Sequence, residues 1–326
     1  MNGEKALQKP ATTLAERFRN PNGNPGEVFV MAHRGAFLDE DRVILPENSV
    51  PAIERARRIG CDFVEIDVQF TSDGTAVVMH DTTLDRTTAA RGEVASCRHS
   101  DLREVPLVHP ETRQEFAARI PTLEEAFLAL GDEMLVNVEL KTGIEAIPEI
   151  ARIAADAGVS GQLTVKSNLG DATRFERVAE IVSRTPHPVD FIPVLVDSRD
   201  GLEGMRAACE TLSPNCVECI VDYGFGKDAG YNLLARRGMT IDGGPLFSLE
   251  ARRIAAGRNL RLFVNTLFVN PHIPGHHHWN GGRSCELGRI APDSVYGFWI
   301  AHGASVIQTD DAPFVLDWLK ASGFRG

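Results

Sequence analysis

Short apolar segments alternate along the chain with longer segments in which apolar residues recur every three or four positions. The short segments have the length of buried strands, and the longer ones have the periodicity of amphipathic helices. This alternation predicts an α/β fold with a parallel sheet, and eight strand–helix units predict a single (β/α)8 TIM barrel. The eight predicted strands are Val28–Ala32, Phe63–Gln69, Leu135–Leu140, Leu163–Val165, Phe191–Val194, Cys219–Val221, Leu262–Asn265 and Val306–Thr309.

The segments between the strands contain helix start and stop signals. Pro51 lies near the start of one amphipathic segment and Gly60 at its end, and Thr122 with Glu125 three residues later forms a capping pattern. Further helices are predicted at Ala172–Arg184, Gly226–Arg237, Leu249–Gly257 and Ser294–His302. Met239–Asp242 is a candidate ninth strand.

The pattern predicts one domain. Residues 1–26 form a polar N-terminal extension, and residues 27–326 form the barrel. After the second strand, Ala76–His80 is expected to continue extended, and residues 81–118 are expected to be a polar, irregular insertion. A long loop at 267–292 follows the seventh strand and should lie over the barrel mouth.

Charge and composition narrow the range of partners. The net charge of −11 argues against binding of nucleic acid, which needs a basic surface, whereas a small anionic substrate can still bind in a locally positive pocket. The N-terminal segment lacks the apolar core of a secretory signal, and the chain has no apolar run long enough to span a membrane. We therefore expect a cytoplasmic protein without membrane insertion; its oligomeric state is left open.

The six cysteines are expected to be free thiols. Cys216 and Cys219 have a CxxC spacing, which is found in metal and redox sites, but no second Cys or His pair stands at a matching distance.

Ionisable residues interrupt two of the predicted strands near their C-terminal ends. Strands of a parallel barrel are covered on both sides and should be almost entirely apolar. The two-residue period of a strand places Glu65 with Asp67 on one face, and Asn137, Glu139 and Lys141 together on one face of the next strand. If the apolar faces contact the helices, these polar side chains point into the barrel mouth.

Three inward carboxylates would raise one another's pKa values unless a cation lies between them. Glu65, Asp67 and Glu139 are therefore candidate ligands of one divalent cation, and ligation by oxygen alone favours Mg²⁺ or Ca²⁺, with Mn²⁺ also suitable. The alternative is a half-exposed strand whose polar face meets water.

Two histidines end extended segments in the same way. His33 follows the first strand, and His80 follows Val77-Val78-Met79 and precedes Asp81. A histidine can act as an acid or a base near neutral pH, and displacement at a phosphodiester needs both. Structural histidines beside strands are the alternative.

Several motifs in the same order resemble the glycerophosphodiester phosphodiesterase family, a phosphodiesterase barrel related to phosphatidylinositol-specific phospholipase C. The similarity is dense from Val28 to Lys141 and thin in the second half. The motifs are His33-Arg34-Gly35, Pro46-Glu47-Asn48-Ser49, Val64-Glu65-Ile66-Asp67-Val68, Thr71-Ser72-Asp73-Gly74, His80-Asp81, Leu84-Asp85-Arg86-Thr87-Thr88, Ile120-Pro121-Thr122-Leu123-Glu124-Glu125, Val138-Glu139-Leu140-Lys141 and the closing Gly303-Ala304-Ser305-Val306-Ile307-Gln308-Thr309-Asp310.

The resemblance implies metal-dependent hydrolysis of a glycerophosphodiester to glycerol phosphate and an alcohol. It implies a divalent cation on the three carboxylates, general acid–base catalysis by His33 and His80, and phosphate binding by Arg34 and Lys141. Our working hypothesis for the mechanism takes His33 as the base and His80 as the acid. Glu47 and Asn48 would shape the site, or Asn48 or Ser49 would cap the following helix. In the related phospholipases a neighbouring substrate hydroxyl attacks and gives a cyclic phosphate.

The loop at 267–292 departs from the family pattern. It contains His276-His277-His278-Trp279 and Arg283. It is a surface loop, a metal-binding loop, or a substrate lid in which Trp279 stacks on the substrate and Arg283 or a histidine contacts hydroxyls. Glycerophosphocholine or glycerophosphoethanolamine is the expected substrate, and a sugar phosphodiester of the agrocinopine type is the alternative.

Three other functions compete with this interpretation. A non-catalytic binding barrel would not need the acid, base and metal positions to be complete. A lyase would release a cyclic phosphate from a lipid. An aldolase would need a Schiff-base lysine, and Lys141 lies too close to Glu139 to lose its proton.

Overall fold

The fold is a closed barrel of eight parallel strands, seen in a computed structural model that describes residues 12–168, 174–222, 230–232, 237–269 and 280–325. Neighbouring strands pair in parallel around the ring, and the last pairs with the first to close it. The predicted TIM barrel is confirmed, with all eight predicted strands in place. The strands are β1 Phe29–Ala32, β2 Phe63–Phe70, β3 Leu135–Leu140, β4 Leu163–Ser167, β5 Asp190–Val196, β6 Cys216–Ile220, β7 Arg261–Thr266 and β8 Ala304–Thr309.

Helices pack around the outside of the barrel and bury the outward apolar residues of the strands in one core. The predicted caps of two of these helices are present: Gly60 ends α2 in a left-handed conformation, and Thr122 forms a capping box with Glu125 at the start of α4. The helices are α1 Leu14–Arg19, α2 Val50–Ile59, α3 His99–Leu102, α4 Leu123–Leu128, α5 Ile147–Asp156, α6 Arg174–Arg184, α7 Gly201–Leu212, α8 Leu249–Arg258, α9 Cys285–Ile290, α10 Phe298–Ala301 and α11 Ala312–Ala321. None of the helices in the described ranges is long and apolar enough to cross a membrane.

The segment between β6 and α8 differs from the prediction. Gly230–Asn232 and Arg237–Met239 pair as an antiparallel hairpin, so the helix predicted at Gly226–Arg237 is wrong for the described residues of that range. Glycines at positions 230 and 238 lie in the two strands, and each glycine disfavours a helix by about 1 kcal/mol relative to alanine. Met239 belongs to this hairpin and not to the barrel, so the candidate ninth strand is also wrong.

The insertion after β2 is more regular than predicted. Ala76–Val78 pairs antiparallel with the end of β2, and a second hairpin joins Pro106–Val108 to Glu115–Arg119. A separate apolar cluster lies beneath these elements, formed by Val77, Met79, Leu84, Val94, Leu102, Leu107 and Ile120. The segment that carries His80 is held by packing against this apolar cluster.

The N-terminal end of the barrel is closed by α1, which lies within the predicted polar extension. Phe18 is 2% exposed and packs edge-on against Phe29 and Phe63, with ring centroids 5.6 and 4.8 Å away. The guanidinium of Arg261 donates hydrogen bonds to the carbonyls of Phe18, at 2.8 Å, and Arg17, at 2.7 Å. These bonds satisfy carbonyl groups at the end of the helix and hold it against the barrel.

Replacing Phe18 with alanine should remove this apolar contact and leave a cavity. We expect Phe18→Ala to lower the free energy of unfolding by about 3–5 kcal/mol, the usual cost of truncating a buried phenylalanine. Phe324→Ala is the matched control, because Phe324 is 38% exposed and should cost much less. Denaturant titrations of both variants measure the difference, and equal losses would contradict a structural role for α1.

Candidate active site

Three carboxylates converge at the mouth of the barrel. In the pairing of β2 with β3, Glu65 lies opposite Asn137 and Asp67 lies opposite Glu139. One oxygen from each of Glu65, Asp67 and Glu139 lies within 4.8 Å of the other two. Glu65 and Asp67 are buried, and Glu139 is partly exposed. The predicted convergence of these side chains is therefore present.

Two lysines compensate part of this negative charge. The Lys141 ammonium lies 2.9 Å from an oxygen of Asp67 and also contacts Glu139. The Lys166 ammonium, on β4, lies 3.1 Å from Glu139, 3.6 Å from Glu65 and 3.0 Å from Glu218 on β6. The contacts keep both lysines protonated, and their pKa values are raised although burial alone would lower them. A protonated Lys141 does not suit the Schiff-base alternative.

The pKa values of the three carboxyl groups are driven apart. Burial and the charge of Asp67 raise the pKa of Glu65 to about 8. Burial alone would also raise the pKa of Glu139, but the Lys166 and Lys141 ammonium groups lower it to about 2. Asp67 is held well below its ordinary pKa by Lys141, His80 and Arg34, against the effect of burial. A cation between the three carboxylates would offset the burial and the repulsion that raise the pKa of Glu65, so these residues fit a ligand set for a divalent cation.

Asn48 orients Asp67. Its side-chain amide donates to an Asp67 oxygen at 2.8 Å, and its carbonyl oxygen accepts the backbone N–H of Asp67 at 3.0 Å. The neighbouring Ser49 is the N-cap of α2 and accepts from the Ala52 N–H. The two roles considered for this loop therefore belong to different residues.

Arg34 is placed by a left-handed turn immediately after β1. Its φ is +52°, and that of Gly35 is +84°; a Cβ at Gly35 would lie 2.7 Å from the Ala52 side chain, so only glycine fits there. The backbone N–H of Arg34 donates to Glu65 at 3.2 Å, and its Nε lies 3.4 Å from Asp67. The turn thus brings a buried guanidinium to the edge of the carboxylate cluster.

Each histidine has a carboxylate partner. His33 Nδ1 lies 2.7 Å from Asp310, whose other oxygen accepts the Phe268 N–H at 2.9 Å. Burial and the Arg34 charge lower the pKa of His33 well below its ordinary value, and burial raises that of Asp310 to about 7. His80 Nδ1 lies 2.7 Å from Asp81.

A chain of ion pairs connects His80 with Arg34. Arg86 donates to Asp81 at 2.7 and 3.0 Å and to Glu47 at 2.7 and 2.9 Å. Glu47 also accepts from Arg34 at 2.9 Å. Burial alone would raise the pKa of Glu47, but Arg34 and Arg86 lower it to about 2. The insertion and the turn after β1 are therefore joined through one buried carboxylate.

Four site residues were not assigned a role from sequence. Lys166 and Glu218 lie inside the barrel, and the period-two rule applied to β4 and β6 would have revealed them. Arg86 and Asp310 occur in the quoted motifs, but their partners lie far away in the chain. Lys166 pairs with the carboxylate cluster and with Glu218, whereas Asp310 contacts His33 and Arg86 holds the partner of His80.

The loop predictions have a mixed outcome. Trp279 and the three adjacent histidines lie outside the described residues. The predictions of a substrate lid and of a metal-binding loop fall on these residues, as does the observation that suggested a sugar phosphodiester as the alternative substrate. Arg283 is buried; its guanidinium lies 3.4 Å from the centre of the Phe298 ring and donates to the carbonyls of Thr240 and Ser294. These contacts give Arg283 a structural role, and the contact of Arg283 or a histidine with substrate hydroxyls stays a prediction.

The cysteine prediction is confirmed. All six cysteines are free. Cys216 and Cys219 lie on opposite sides of β6, Cys216 with the residues inside the barrel and Cys219 with the core under the helices. They therefore do not share a ligand, and within the described ranges the grouping of metal-binding side chains is that of Glu65, Asp67 and Glu139.

A cavity of about 380 Å³ opens beside Glu139. It is lined by Glu139, Asn168, Val194, Val196, Glu218, Ile220 and Asp222.

Truncating Glu47 should leave two buried guanidinium groups without their shared partner. We expect Glu47→Ala to lower the free energy of unfolding at neutral pH by about 3–5 kcal/mol, as for other broken buried ion pairs. Because the folded-state pKa of Glu47 is depressed to about 2, the stabilisation is present above about pH 4.5 and is lost as the pH falls toward 2. Denaturant titrations over this pH range measure it.

Glu149→Ala is the matched control, because the Glu149–Arg152 pair is largely exposed and such pairs contribute little. A cost for Glu47→Ala as small as that of the control would contradict the proposed importance of the ion-pair chain.

Comparisons with known proteins agree with this geometry. Residues 33–167 match the model of the glycerophosphoryl diester phosphodiesterase family. The chain is 40% identical over 125 residues to a glycerophosphodiester phosphodiesterase of Caldanaerobacter subterraneus, covering 38% of this chain and 49% of that protein. It is 43% identical over 101 residues to glycerophosphodiester phosphodiesterase 1 of Mus musculus, covering 30% of this chain and 29% of the relative. The chain thus spans about half, or less, of the length of these relatives.

Solved structures share the fold over nearly the whole chain. A glycerophosphoryl diester phosphodiesterase from Parabacteroides distasonis has a TM-score of 0.65 at 17% identity, covering 95% of this chain and 93% of that one. A phosphodiesterase from Oleispira antarctica, solved in complex with its product sn-glycerol-3-phosphate, has a TM-score of 0.58 at 18% identity, covering 90% and 96%. Glu65, Asp67, Glu139 and both histidines lie inside the segment that matches the family model, and the solved structures show that the barrel fold is shared over the rest of the chain.

Proposed function

We propose that this chain hydrolyses a glycerophosphodiester to glycerol phosphate and an alcohol, using a divalent cation held by Glu65, Asp67 and Glu139. The observation that supports the proposal most directly is the convergence of these carboxylates, with ligand oxygens within 4.8 Å, at the barrel mouth that also holds two histidine–carboxylate pairs. Similarity to enzymes named for this activity supports the same reaction.

The cation is Mg²⁺ or Ca²⁺ in this proposal, with Mn²⁺ as a further candidate, because all three ligands are carboxylate oxygens. When bound, such an ion polarises the phosphoryl group and offsets negative charge in the transition state. Arg34 and Lys141 border the ligands and supply positive charge to non-bridging phosphoryl oxygens.

The two histidines move the protons in this mechanism. A carboxylate at Nδ1 of an imidazole favours the proton on that nitrogen, so proton transfer to or from the substrate would use Nε2. The lowered pKa of His33 keeps it neutral and suits a general base. His80, held by Asp81 and Arg86, would protonate the departing alcohol. The nucleophile is water or a neighbouring substrate hydroxyl, the latter giving a cyclic phosphate.

Removing divalent ions should abolish the activity. We expect chelation by EDTA to stop hydrolysis of glycerophosphocholine and added Mg²⁺, Ca²⁺ or Mn²⁺ to restore it. Asp67→Asn should weaken binding of the restoring ion at least about tenfold in calorimetric titration, because a charged ligand is lost. Asp132→Asn, an exposed residue before β3, carries the same charge change and should leave binding intact. Full turnover in EDTA, or unchanged binding by Asp67→Asn, would refute the metal site.

Replacing His80 tests the acid–base assignment. His80→Ala should lower kcat by about 10²–10⁴-fold with a much smaller change in KM, because proton transfer acts in the transition state. A diester with a good leaving group, such as a nitrophenyl ester, should lose far less, since its departing oxygen needs little protonation. Equal losses on both substrates would argue against His80 as the acid.

A further inference from the structure

The cavity beside Glu139 has a chemical character that the proposed reaction does not explain. Its walls come from the ends of β5 and β6: Val194 and Val196 lie on β5, and Glu218 and Ile220 on β6. Its volume of about 380 Å³ is within the range of small-molecule sites. Because Glu139 belongs both to the cavity lining and to the carboxylate cluster, a substituent on a phosphoryl group at that cluster has room to extend into the cavity.

One wall of the cavity is apolar. Val194, Val196 and Ile220 are aliphatic and offer no hydrogen-bonding side chain. A polyol placed against them would lose hydrogen bonds to water without replacing them, which costs free energy. Methyl or methylene groups placed there would gain from leaving water. This wall favours an alcohol with a carbon-rich surface.

The polar part of the lining is acidic. Glu139, Glu218 and Asp222 contribute carboxylates, and the lining contains no lysine, arginine or histidine. Glu139 and Glu218 are paired with lysine ammonium groups at the barrel axis. Asp222 instead accepts hydrogen bonds from the backbone N–H of Ser198, at 3.0 Å, and from the Ser198 hydroxyl, and no basic side chain of the described ranges lies within 4.0 Å of it.

A second carboxylate lies behind Asp222. Asp197 is 6% exposed; one of its oxygens accepts the Leu246 N–H at 2.9 Å, and the other has no hydrogen-bond partner within the described part of the chain. Burial, Asp222 and Asp242 raise the pKa of Asp197 to about 7. Asp197 is therefore a second carboxyl group at this side of the cavity, and the described residues place no basic side chain in an ion pair with it or with Asp222.

We propose that this cavity binds the alcohol portion of the substrate, that it selects an alcohol bearing a positively charged, alkyl-substituted nitrogen, and that Asp222 determines this selectivity. The proposal rests on the proposed phosphodiesterase function. The alkyl groups contact the two valines and the isoleucine, and the charge faces Asp222. A neutral polyol gains neither contact, and an anionic group is repelled.

Two diesters with the same glycerol phosphate half test the proposal. Glycerophosphocholine carries a quaternary ammonium, and glycerophosphoinositol carries a neutral polyol. We expect kcat/KM to favour the choline diester about tenfold or more in the wild type, the size of one partly screened charge pair. Asp222→Asn should lower kcat/KM for the choline diester by about that factor and leave the inositol diester unchanged. Asp222→Glu should keep the preference.

Asp132→Asn is the control for net charge, since it removes an exposed carboxylate before β3, at the opposite end of the barrel. It should retain the wild-type preference. An equal loss on both diesters in Asp222→Asn, or an unchanged preference, would overturn the role of Asp222. A wild type that prefers the inositol diester would overturn the cavity assignment.

Direct binding separates this inference from the proposed function. Choline and inositol can be titrated calorimetrically into the wild type and Asp222→Asn without any turnover. Choline binding that Asp222→Asn weakens about tenfold supports the cavity assignment even if neither diester is hydrolysed, an outcome in which the phosphodiesterase proposal alone would fail. Absence of choline binding together with active hydrolysis of both diesters at similar rates would overturn the inference alone.

Discussion

Negative charge inside the barrel mouth is the constraint around which the rest of the site is arranged. Carboxylates shielded from water raise one another's pKa values, and such a cluster persists only when positive charge lies beside it. Lys141 and Lys166 supply part of that charge, yet burial and the charge of Asp67 still raise the pKa of Glu65. A cation with two charges would suit this cluster, and the buried guanidinium of Arg34 borders it.

The two ends of the barrel are filled by different kinds of side chain. At the N-terminal end, aromatic rings from α1, β1 and β2 fill the interior, and the guanidinium of Arg261 packs over Phe29. At the C-terminal end, polar side chains replace them in successive inward positions of β2, β3, β4 and β6. The apolar end gives the strands a fixed register, and that register places Asp67 opposite Glu139. The aromatic cluster and the carboxylate cluster thus occupy opposite ends of the same eight strands, which is the usual separation of stability from function in barrels of this kind.

Much of the fold and the centre of the site could be predicted from sequence because they obey local rules. Strand periodicity determines which side chains share a face, so Glu65 and Asp67 were found together, and the caps at Gly60 and Thr122 were found from nearest neighbours alone. The hairpin after β6 was missed because pairing between strands is not a local property. Contacts between residues far apart in the chain follow from the closure of the barrel and not from any local pattern. The contact of His33 with Asp310, 277 residues away, is an example.

Glu47 has a consequence for how this molecule could be altered or could have diverged. It belongs to the loop after β1, yet it binds Arg86 from the insertion, and through Arg86 it supports Asp81 and His80. The insertion is consequently not an independent module. A chimera that received the insertion from a relative would also need a compatible loop after β1. Otherwise two guanidinium groups would be buried without a carboxylate partner. Recombination between related barrels should therefore tolerate crossovers that keep the loop after β1 and the insertion together. Crossovers that fall between these two segments should not be tolerated.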